Sequence, residues 1–69
     1  MWVVLQYFDG VVVNALDYID RSLDEAVESA ASLAIENGYQ HGADSAASII
    51  RNESRLVFGK NAFQVVKLR

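Results

Sequence analysis

His41 is the single histidine of this 69-residue sequence, and there is no cysteine. It is therefore the one side chain whose ordinary pKa suits proton transfer near neutral pH. It stands between Gln40 and Gly42, with Asp44 as the nearest carboxylate. A metal centre would need more nitrogen or thiolate ligands than one histidine supplies. Six serines and several aspartates allow a Ser–His–Asp set to be written down, but no serine sits in a nucleophile-elbow pattern. Asp24, Glu25 and Glu28 cluster at helical spacing, yet acid–base work needs a pocket that separates their pKa values. A solvated helix face offers none. The glycines at 10, 38, 42 and 59 punctuate turns and do not form a phosphate-cradling loop. The expectation is a protein that is not an enzyme, with no cofactor and no metal.

Two other sets of residues could bind rather than react. Arg51, Arg55, Lys60, Lys67 and Arg69 gather in the last third of the chain, with Phe58 and Phe63 between them. Single-strand binders place aromatic rings beside cations on a sheet, so a nucleic-acid-binding module is one reading. Against it stands the acidity of the whole, with a net charge of −3. Residues 1–48 carry eight acids against Arg21 alone, whereas residues 49–69 carry five bases against Glu53. Such asymmetry can steer association, or simply draw two parts of one fold together. The second set is apolar and aromatic: Leu5, Tyr7, Val12, Leu16 and Tyr18, on one face of an N-terminal hairpin.

That hairpin is read from Trp2–Phe8, the dipeptide Asp9-Gly10, and the run from Val11 to Ile19. Asp-Gly between β-rich runs favours a type I′ turn, which needs positive φ at both central residues. A two-residue turn would pair Phe8 with Val11, Tyr7 with Val12, Leu5 with Asn14 and Trp2 with Asp17. One face then holds Trp2, Val4, Gln6, Phe8, Val11, Val13, Ala15 and Asp17. The other holds Val3, Leu5, Tyr7, Val12, Asn14, Leu16 and Tyr18. Both are rich in apolar residues, whereas a sheet with one wet face should alternate more cleanly.

Ser22-Leu23-Asp24-Glu25 is a capping box, and it opens a helix expected over 23–37. Leu23, Ala26, Val27, Ala30, Leu33 and Ala34 form its apolar stripe. Asn37-Gly38-Tyr39 reads as a left-handed cap with an apolar residue folding back. Asp44 looks like the N-cap of a shorter helix over 45–52. Leu56-Val57-Phe58 and Phe63–Leu68 flank Gly59-Lys60-Asn61 as a second hairpin. The layout is ββααββ. It predicts one α+β domain over residues 1–69, a four-stranded antiparallel sheet with one long and one short helix packed mainly on one face.

A chain this short buries only about 60% of the surface it exposes when unfolded. Small domains compensate with disulfides, metals or association, and the composition leaves association. The apolar N-terminal run lacks the features of a signal peptide and is too short to span a membrane. A cytoplasmic protein is expected, and Asn52-Glu53-Ser54 is then a chance glycosylation match. In size, acidity and lack of a catalytic signature the chain is similar to small phage-encoded inhibitor proteins such as anti-CRISPRs. That likeness is one of type and assigns no residue. The expected function is binding to a protein partner, a second copy first, through the sheet face that carries Leu5, Tyr7, Val12, Leu16 and Tyr18. On this reading Trp2, Val4 and Phe8 form the bulkier core beneath the helices.

Overall fold

The structure is a computed structural model that describes residues 1–18 and 22–68, without the side chains of Asp17 and Tyr18. The Asp9-Gly10 turn takes φ of 53° and 82°, the double positive φ of a type I′ turn. It joins β1 (Trp2–Phe8) to β2 (Val11–Tyr18). The helices α1 (Leu23–Glu36) and α2 (Ala43–Glu53) follow, then β3 (Arg55–Phe58) and β4 (Asn61–Lys67). All strand pairs are antiparallel, in the order β2-β1-β4-β3. This is the expected ββααββ, α+β layout. The first and last strands meet at its centre, with Val4 opposite Val65 and Gln6 opposite Phe63.

The register of the first hairpin departs from expectation. Phe8 pairs with Val11 and Tyr7 with Val12, but Gln6 then faces Asn14, leaving Val13 as an extra residue. Beyond this bulge Leu5 pairs with Ala15 instead of Asn14, and Trp2 with Tyr18 instead of Asp17. A one-residue shift moves each following side chain to the opposite face. Leu16 thus lies opposite Val4 and packs against the core. Asn14 joins the same side, and Ala15 crosses to the side of Leu5. Val13 is an ordinary β-forming residue, so nothing local announces the bulge.

Helix α1 starts as expected, with the Ser22 hydroxyl accepting from the Glu25 amide at 3.2 Å and the Glu25 carboxylate accepting from the Ser22 amide at 3.3 Å. It ends in a Schellman motif, with Tyr39 N–H donating to the Ala34 carbonyl and Gly38 N–H to the Ile35 carbonyl. Gly38 holds φ at 106° for this turn. Helix α2 begins one residue before the expected cap. Gly42 is its N-cap and makes no side-chain bond, while Asp44 lies in the first turn, where its charge suits the helix dipole.

Both helices lie on one side of the sheet, α1 over β4 and β1 and α2 over β3. The core joins Val4, Leu56, Phe63 and Val65 of the sheet to Ala26, Val27, Ala30, Ala31, Ala34, Ala46 and Ile50 of the helices. The alanines let the helices approach closely, but they make the core thin. Phe63, Ile50, Val4 and Val27 are its largest fully buried side chains.

Candidate interaction surface

The side chains with catalytic potential stay apart. His41 is exposed, its ring edge-on to Tyr39 at 5.4 Å. Among the described residues no group of three or more His, Cys, Asp or Glu side chains could hold a metal. Glu28 and Asp44 line a hollow of about 300 Å³ between the helices, floored by Ala31, Ala43 and Ala47. Asp24 turns to Arg51 at 2.9 Å in an exposed ion pair.

The basic set does not converge either. Arg51 is held on the helical side by Asp24. Lys67 pairs across strands with Trp2, and its ammonium lies 5.9 Å from the indole centroid on the helix side of the sheet. Phe58 and Phe63 stack at 5.9 Å inside the core and so offer no platform for bases. Arg69 lies outside the described residues. Arg55 and Lys60 come together, on the sheet side opposite the helices.

That open side is less bare than its composition suggests. Val3 and Ala62 are buried on it by their neighbours, and Leu5, Tyr7, Gln64 and Val66 are half-buried. Tyr7 donates its hydroxyl to Gln64 Oε1 at 3.1 Å, and the Arg55 guanidinium lies 5.7 Å from the ring centroid. Of the five residues expected to form an interface, Leu5 and Tyr7 are packed within the face and Val12 is exposed. Leu16 is corrected to the helix side by the bulge. The Tyr18 side chain lies outside the described residues.

Apolar exposure concentrates on β2 instead. Val11, Val12 and Val13 are 64%, 48% and 57% exposed, and Phe8 across the turn is 49% exposed. Phe8 was expected in the core and is not there, because it is the last residue of β1, at the Asp9-Gly10 turn and beyond the core cluster under the helices. The sequence signal was present in the run Val11-Val12-Val13, apolar on both faces, but its place at a sheet edge depends on strand order. The two edges differ. β3 has four residues and begins with Arg55, whereas β2 has eight and carries no charge from Val11 to Leu16. A short charged edge resists pairing with another chain, and a long apolar one invites it.

No protein-family model matches this chain, and neither does any curated protein or solved structure.

Proposed function

We propose that this protein is a non-enzymatic interaction module that self-associates along β2. The carrying observation is the exposure of Val11, Val12 and Val13 on an unguarded edge strand. A second copy suits this strand because an isologous contact sets the same residues against each other, and a segment without charge meets its copy without repulsion. The thin, alanine-rich core supplies a second argument, since small domains gain stability by burying surface between copies. The Val13 bulge bends the edge, so a partner strand pairs on one side of it while Val11, Val12 and Phe8 pack as side chains.

Sedimentation velocity over a concentration series tests the reading. The expected result is a dimer that becomes monomeric in the double variant Val12→Lys/Val13→Lys, with an unchanged circular dichroism spectrum. Both side chains are exposed, so the substitutions spare the core. A wild-type protein that stays monomeric throughout, or a variant that still dimerises, overturns it.

A further inference from the structure

We infer that the open sheet face carries a phosphoryl-anion site, formed by Arg55 and Lys60 beside Tyr7. The site is a cleft of about 220 Å³ at the turn end of β1, β4 and β3. Its hollow has a steric origin. Ala62 faces Tyr7 on one neighbouring strand and Val57 on the other, so a methyl group stands between a phenol and an isopropyl group. The ring and the valine form walls, and the alanine is the floor.

Three contacts hold the cleft in shape. The Tyr7 hydroxyl is bonded to Gln64, which fixes the ring. The Arg55 guanidinium is placed over that ring, an arrangement that leaves its outer N–H groups available to an oxyanion. The Asp9 amide donates to the Lys60 carbonyl at 2.8 Å, which ties the two hairpin turns together and sets Lys60 at the cleft. Among the described residues Arg51 is held by Asp24, whereas Arg55 and Lys60 take part in no salt bridge. Two cations at the edge of one hollow, in a protein of net charge −3, form a local reversal of sign. A guanidinium and an ammonium on two residues that line one cleft can together meet the several acceptor oxygens of a phosphate. Asp9 also lines the cleft and opposes an anion, which provides a control of opposite sign.

The site spans β1, β4 and β3, so it does not depend on self-association along β2. The shared chemistry is a phosphate group, from a small phosphate or from a nucleic-acid backbone. Amide chemical-shift mapping of the full chain separates these sources, with inorganic phosphate in one titration and a short single-stranded oligothymidylate in another. Shifts at Tyr7, Lys60 and Ala62 with phosphate alone support a small-anion site. The same shifts with the oligonucleotide, competed away by phosphate, support the site with a backbone as its source.

Arg55→Gln should weaken binding by about tenfold, the loss of one charge-assisted contact. Asp9→Asn should strengthen it. Both variants should fold, because Arg55 is exposed and Asn-Gly is a preferred type I′ pair. No shift with either probe, shifts spread equally to Arg51 and Lys67, or a response unchanged by both substitutions would overturn the proposal.

Discussion

Phe63 and Arg51 show how differently two side chains can matter. Phe63 is fully buried between both helices and the sheet, and it stacks on Phe58. Phe63→Ala removes that contact area and leaves a cavity, at a cost of about 3–5 kcal/mol. In a domain where five of the eleven core residues are alanine, that loss should unfold much of the population. Arg51→Ala breaks an ion pair whose side chains are 45% and 75% exposed, so solvent screening limits the cost to about 0.5 kcal/mol or less. Urea unfolding followed by circular dichroism should place the two variants far apart. Similar losses for both would contradict this assignment of the core.

At the scale of the element, caps and turns were legible because their interactions close within a few residues. Ser22 and Glu25 satisfy each other's backbone groups, so Ser22→Ala should cost about 1 kcal/mol. The end of α2 behaves differently. Ser54 caps it at φ 64°, while its carbonyl accepts from Val65 N–H at 3.0 Å. A serine in this left-handed region is strained, and Ser54→Gly should raise stability by about 0.5–1 kcal/mol. A fall in the urea midpoint would show that the serine is not strained there. The bulge on β2 allows another test. Deleting Val13 should remove the bulge and leave Leu16 opposite Val4 on the core side, at a cost of about 1 kcal/mol or less. Amide exchange from Asn14 to Leu16 should then stay as slow as in the wild type; faster exchange there would mean that the pairing had moved.

For the whole molecule, strand order decides what is covered. Two helices of 14 and 11 residues reach across β1, β4 and β3, and the fourth strand is left beyond them. If β2 pairs with its copy, thermal stability should rise with protein concentration, because association is linked to folding. The Val12→Lys/Val13→Lys variant should show no such dependence. A melting temperature independent of concentration in the wild type would remove the link between edge and assembly.

The amino-acid sequence by itself determined the elements, the two hairpins, both ends of α1 and the α+β layout. Each rests on periodicity or on contacts between near neighbours along the chain. It also showed that the first hairpin has more apolar surface than one wet face allows. Only the tertiary structure decided which surface that is. The Val13 bulge sent Leu16 inward, the central pairing of β1 with β4 left β2 at an edge, and Phe8 fell outside the cover of the helices. The same pairing brought Tyr7 and Gln64, 57 residues apart, into contact beside Arg55. Long-range pairing depends on how all four strands and both helices bury surface together, and no short stretch of residues encodes that choice.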